Sequence, residues 1–127
     1  MKILVADDRG VLAPTCIVFL AYWGHEVEVA HDGLEALRKA RAWKPDLILA
    51  PARLERMDGL SLLAALRAGG LRETEFVMIG TEEDRFAWQR ARQLGASAFL
   101  DAPLAVADLA AVIARHVRGE VAAARAR

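Results

Sequence analysis

The chain has 127 residues, enough for one packed domain and too few for two, and 55% of them are apolar, which excludes a disordered chain. Lys plus Arg equals Asp plus Glu, at 17 each, so there is no basic stripe of the kind that tracks a nucleic-acid backbone. The single cysteine, Cys16, excludes an intrachain disulfide and fits a reducing cytoplasm.

Short apolar runs alternate with helical patterns five times along the chain. Ile3 to Ala6 reads as a buried strand, followed by Asp7 and Asp8, which interrupt the N-terminal apolar stretch and argue against a secretory signal. Val11 to Trp23 reads as a helix stopped by Gly24; the uncharged run around it, Gly10 to Gly24, is too short to span a bilayer. Glu26 to Ala30 alternates charged and apolar residues and reads as an edge strand. Asp32-Gly33 is a turn, Leu34, Leu37, Ala40 and Arg41 follow at helical spacing, and Pro45 ends that segment. Leu47 to Ala50 is a continuous apolar strand, as in a parallel sheet covered on both faces. Asp58-Gly59 precedes a helix through Leu60, Leu63 and Leu66 that ends at Gly69-Gly70. Phe76 to Ile79, a helix from Asp84 to Leu94, Ala98 to Leu100 and a last helix from Val106 to Arg118 complete the alternation. Residues 1–119 form one domain on this reading, and 120–127 are a tail or the start of a linker.

Such alternation implies a parallel sheet with helices on both faces. Ligands of these sheets sit outside the carboxyl ends of the strands, so chemistry is sought at Asp7-Asp8, Pro51, Gly80-Thr81 and Asp101-Ala102.

The order of motifs resembles the receiver domains of bacterial response regulators along essentially the whole chain. Ile3-Leu4-Val5-Ala6-Asp7-Asp8 is similar to the family's first strand and acidic pair. Pro45-Asp46-Leu47-Ile48-Leu49 with Met57-Asp58-Gly59 is similar to its third strand and following loop. Gly95-Ala96-Ser97-Ala98-Phe99-Leu100 with Pro103 is similar to its fifth strand and exit. The resemblance implies an α/β flavodoxin-like (βα)5 three-layer sandwich, its five-stranded parallel sheet in the order 2-1-3-4-5, and a cis Ala102-Pro103 bond. It also puts the phosphoacceptor position on Pro51, the hydroxyl position on Gly80 and the lysine position on Ala102, while Phe99 keeps the switch aromatic.

Proline has no nucleophile, Ala102 brings no cation to a phosphoryl group, and Gly80 has no hydroxyl to report one. A slipped strand end would bring Thr81 toward the hydroxyl position. The expectation is therefore a non-enzymatic, degenerate receiver (a pseudo-receiver) that binds a signalling partner or itself without phosphorylation. No cofactor, direct nucleic-acid contact or membrane contact is implied. The alternatives are phosphorylation at another acid, Asp7 or Asp8, and an N-terminal receiver fragment of a longer transcriptional regulator.

For the acidic pair three readings stand: structural hydrogen bonds, a weak metal ion on Asp7 and Asp8, or neutralisation by the Arg53 or Arg9 guanidinium. Asp58 reads as a turn residue, His25, His31 and His116 as surface histidines, and Cys16 as packed. Phe99 is expected to turn inward into space left open beside Gly80. Two surfaces are candidates for interaction. On the first helix, Leu12, Cys16, Phe19, Leu20 and Trp23 share the arc facing the sheet. Ala13, Ile17, Val18, Ala21 and Tyr22 are left outward on a helix with no charge. On the fourth helix, Trp88 falls off the inward stripe of Ala87, Ala91 and Leu94.

Overall fold

The computed structural model describes residues 1–126, with side chains through 117. Five strands, β1 (Lys2–Ala6), β2 (Glu26–Ala30), β3 (Leu47–Pro51), β4 (Glu75–Gly80) and β5 (Ala98–Asp101), form one parallel sheet in the order β2-β1-β3-β4-β5. The helices are α1 (Leu12–Tyr22), α2 (Gly33–Trp43), α3 (Gly59–Ala68), α4 (Arg85–Gln93) and α5 (Val106–Ala126). A one-turn 3-10 helix, Glu82–Asp84, precedes α4, which starts one residue after the Asp84 that the sequence pattern suggests. The helix of α5 continues past Arg118, through Ala-rich sequence that favours it; the tail expected over 120–127 lies outside the residues whose side chains are described.

The sheet is apolar on both faces, and alternate residues go to opposite sides. Ile3, Val5, Leu47, Leu49, Val77 and Ile79 pack with Ala13, Cys16 and Leu20 of α1 and Leu109, Val112 and Ile113 of α5. Leu4, Ile48, Phe76 and Met78 pack on the other face with Ala36 and Leu37 of α2, Leu62, Leu63 and Leu66 of α3, and Ala91 of α4. This is the expected three-layer sandwich of flavodoxin-like topology, with β2 at one edge. Register aligns the strand ends: Val5 lies beside Leu49, Pro51 beside Ile79, and Gly80 beside Asp101. One sheet edge therefore gathers Asp7-Asp8, Pro51, Gly80-Thr81 and Asp101-Ala102.

Candidate functional site: the carboxyl edge of the sheet

Asp7 leaves β1 buried, 5% exposed, and its carboxylate is fully engaged by backbone. Oδ1 accepts from the N–H groups of Arg9 (3.3 Å), Gly10 (3.1 Å) and Val11 (3.3 Å), and Oδ2 accepts from Ala13 N–H at 2.8 Å. These include donors that open α1, whose cap residue Val11 has no side chain able to accept them. Pro14 in the same turn lacks an N–H and asks for no partner. Asp8 Oδ2 accepts from Glu55 N–H at 3.0 Å, tying β1 to the β3–α3 loop.

Of the three readings of the acidic pair, the geometry is that of structural hydrogen bonds. The residues present do not fit a hard divalent cation, which wants several free oxygens. Of the four carboxylate oxygens only Asp8 Oδ1 is left without a backbone donor, and Pro51 supplies no carboxylate. Among the described residues no group of three or more His, Cys, Asp or Glu side chains is placed to hold a metal ion.

Neither arginine neutralises the pair, and that expectation is corrected. Arg9 is exposed, and none of the ion pairs among the described residues involves it. Arg53 turns the other way: its Nε donates to Asp84 Oδ1 at 3.2 Å and its second terminal nitrogen to Glu83 Oε2 at 2.8 Å. Glu83 first, and then Asp84, hold that guanidinium even more firmly protonated than free arginine. Asp7 and Asp8 need no arginine because backbone N–H groups already supply their hydrogen bonds.

The space expected to be open beside Gly80 is filled. Asp84 is 9% exposed, and a Cβ built on Gly80 would lie 2.6 Å from Asp84 Oδ2 and 3.1 Å from its Cβ and Cγ. The same Oδ2 accepts from Thr81 N–H at 2.8 Å. Thr81 itself is exposed at the rim. The sequence pattern marks Asp84 only as the start of a helix, although Thr81 and Asp84, three apart, carry the spacing of a capping box.

Phe99 is half-buried against the cluster under α3 and α4, and its ring lies 5.6 Å from that of Trp88, tilted by 43°. Trp88 is half-buried in turn, so it holds Phe99 where an empty slot was expected to attract it. Ala102 is exposed, donates its N–H to Gly80 O at 2.8 Å, and is joined to Pro103 by a cis bond. Asp58 caps α3, its Oδ1 accepting from Ser61 N–H at 2.7 Å.

On α1, Ile17, Val18, Ala21 and Tyr22 are exposed, Val18 by 64% and Tyr22 by 86%. Ala13 is not on that face; it is buried, drawn in by its hydrogen bond to Asp7. Phe86, 82% exposed at the start of α4, is a further exposed apolar residue that the helical pattern did not single out. His31 faces solvent beside Glu35, whereas His116 is tucked between Val112 O (2.8 Å) and Glu75 (3.5 Å) and is not a surface residue. His25 is half-buried, with its Nδ1 at 3.0 Å from the Met1 amino group. A groove of about 1070 Å³ lies at the opposite edge of the sheet, lined by Lys44, Arg72, Glu73, Thr74 and His116 among others. No helix among the described residues is long and apolar enough to cross a membrane.

The family model for the response regulator receiver domain matches residues 3–114. Response regulator MprA of Mycobacterium avium (strain 104) is 32% identical over 112 residues, 87% of this chain and 48% of that protein. The alkaline phosphatase synthesis transcriptional regulatory protein PhoP of Bacillus subtilis (strain 168) is 33% identical over 123 residues, 96% of this chain and 51% of that protein. The chain thus spans about half the length of these relatives. Among solved structures, chemotaxis response regulator CheY4 of Vibrio cholerae superposes with a TM-score of 0.82 at 29% identity, covering 91% of this chain and 97% of that one. The receiver domain of NtrX from Brucella abortus superposes with a TM-score of 0.81 at 28% identity, covering 91% and 98%.

Proposed function

The chain belongs to the response-regulator receiver-domain family, and from that premise we propose that it is a pseudo-receiver, a protein-interaction module of two-component signalling that works without being phosphorylated. One observation carries this reading. The position where the family resemblance puts the phosphoacceptor is Pro51, at the carboxyl end of β3, and the groups that would serve it have other duties. Asp7 is committed to the first turn of α1, Asp8 to the β3–α3 loop, and the slot beside Gly80 to Asp84. Ala102 brings no charge. The domain then acts by presenting a surface, to a signalling partner or to a second copy of itself, as a cytoplasmic binding module and not an enzyme.

Intact-mass measurement after incubation with acetyl phosphate and magnesium tests this. No added mass is expected. A gain of one phosphoryl group, located by peptide mapping to Asp7 or Asp8, establishes phosphorylation at a non-standard acid instead. The half-length overlap with regulators such as PhoP favours a second reading, in which this domain works within a longer regulator. Finding the chain fused to an output domain in the source cell, by immunoblot size, decides between them.

A further inference from the structure

We infer that Arg53 is a built-in latch: its guanidinium pins the turn of residues 81–84 to the β3–α3 loop and so holds the α4 face in one arrangement with no signal applied. The inference rests on the pseudo-receiver reading and names how that site is regulated. Arg53 sits two residues past Pro51, outside the strand, and bridges two carboxylates of a different loop, Glu83 and Asp84. A planar fork with several donors suits two acceptors at once, where a lysine offers a single point charge.

The contact matters because of what Asp84 does with its other oxygen. Oδ2 accepts from Thr81 N–H and lies directly against Gly80, close enough to exclude a side chain there. Asp84 is thus held from three sides: Arg53 across the pocket, Thr81 within the turn, and the bare backbone of Gly80 beneath. It is also the residue immediately before α4, so its position sets where that helix begins. Trp88 lies one turn further along α4 and packs on Phe99 of β5. Arg53 thus holds the residue at which α4 starts, and Trp88 of that helix packs on Phe99, which relates the acceptor position to the α4–β5 face. Three consecutive acids in one turn would repel each other, and Arg53 with Arg85, which pairs with Glu82, offsets that charge. Arg53 contacts no reacting group; it is a positioning residue.

The test is residue-resolved amide hydrogen exchange of the full chain without any phosphodonor. The proteins are wild type, Arg53→Ala, Arg53→Lys, Asp84→Asn and the Arg53→Ala/Asp84→Asn double variant. Arg53 is exposed, so its replacement leaves the fold intact. In Arg53→Ala the amides of Thr81, Asp84 and the first turns of α4 exchange about threefold faster, the size a partly exposed ion pair supports, while β1 and β3 are unchanged. Arg53→Lys recovers only part of the protection. Arg53→Ala speeds exchange less in the Asp84→Asn background than in the wild type, since the bond to Asp84 is already gone there and only the Glu83 contact remains to be lost. About 1 M salt narrows the gap between wild type and Arg53→Ala, because the pair is screened. Unchanged exchange at Thr81 in Arg53→Ala overturns the latch, as does full additivity in the double variant. The two failures are separable: phosphoryl uptake with the Arg53 effect intact removes the pseudo-receiver reading and leaves the latch. No uptake and no Arg53 effect removes the latch alone.

Discussion

The carboxylate of Asp84 stands where a side chain on Gly80 would begin, 2.6 Å from the Cβ that residue lacks. Gly80 and the buried acid four residues later therefore fit each other: the one leaves the space that the other fills. Gly80→Ser should destabilise the domain by about 1–3 kcal/mol, the usual cost of overpacking. In the Asp84→Ala background, which itself loses the bonds to Thr81 and Arg53, Gly80→Ser should cost less, because the crowding carboxylate is gone. Urea unfolding of the three variants checks it; a neutral Gly80→Ser would show that the turn moves aside freely.

Restoring the nucleophile alone should not restore the chemistry. In Pro51→Asp the new carboxylate joins Asp7 and Asp8 without a lysine at position 102 to gather phosphoryl oxygens. Acetyl phosphate with magnesium should leave its mass unchanged. Measurable uptake would mean that the edge of the sheet still holds a working pocket.

The two members of the acidic pair should differ in their importance to stability. Asp7→Ala leaves a set of opening N–H groups without their acceptor and should cost about 2–3 kcal/mol, as for buried hydrogen bonds to a charge. Asp8→Ala loses a single bond at the surface and should cost about 0.5–1.5 kcal/mol. Denaturant midpoints, read with the helical signal, separate a structural pair from an idle remnant, which would give two equally small effects.

Cys16 should behave as a core residue. Burial first, and then the nearby Asp7 charge, pushes its thiol up from 9.0 to about 11. A thiol reagent at pH 8 should modify the folded protein far more slowly than the unfolded one. Because the folded value is the higher of the two, the stability associated with the protonated thiol is fully present below pH 9.0. It is lost as pH rises from there through about 11. Cys16→Ala should flatten the stability curve in that window; fast native-state labelling at pH 8 would contradict the burial.

The outward side of α1 should be an interaction surface. Ile17, Val18 and Tyr22 leave an uncharged, exposed stripe on a helix whose opposite side is already packed. Ile17→Glu should change stability by less than about 0.5 kcal/mol, as exposed substitutions do. It should weaken self-association or partner capture in sedimentation experiments. Identical association by wild type and variant would place the interface elsewhere, with Trp88 and Phe86 of α4 the next residues to replace.

The sequence by itself determined the strands, their approximate limits and the residues at their carboxyl ends. The reason is that a strand covered on both faces must be continuously apolar, as Leu47 to Ala50 is, and Gly24, Pro45 and Gly69-Gly70 mark where helices stop. It also determined that position 51 offers no nucleophile, which is a matter of residue type alone. What each surviving polar group does was decided only by the tertiary structure. Asp7 and Arg53 lie 46 positions apart and looked like natural partners, since charge and placement at one sheet edge both favoured them. Folding gave Asp7 four backbone donors from its own following turn. It also brought Asp84 across to Arg53 through the loop after β4. Short-range hydrogen bonds to backbone satisfied Asp7 first, and the long arginine side chain went to the acids left over, a competition settled by loop geometry that one-dimensional spacing does not contain.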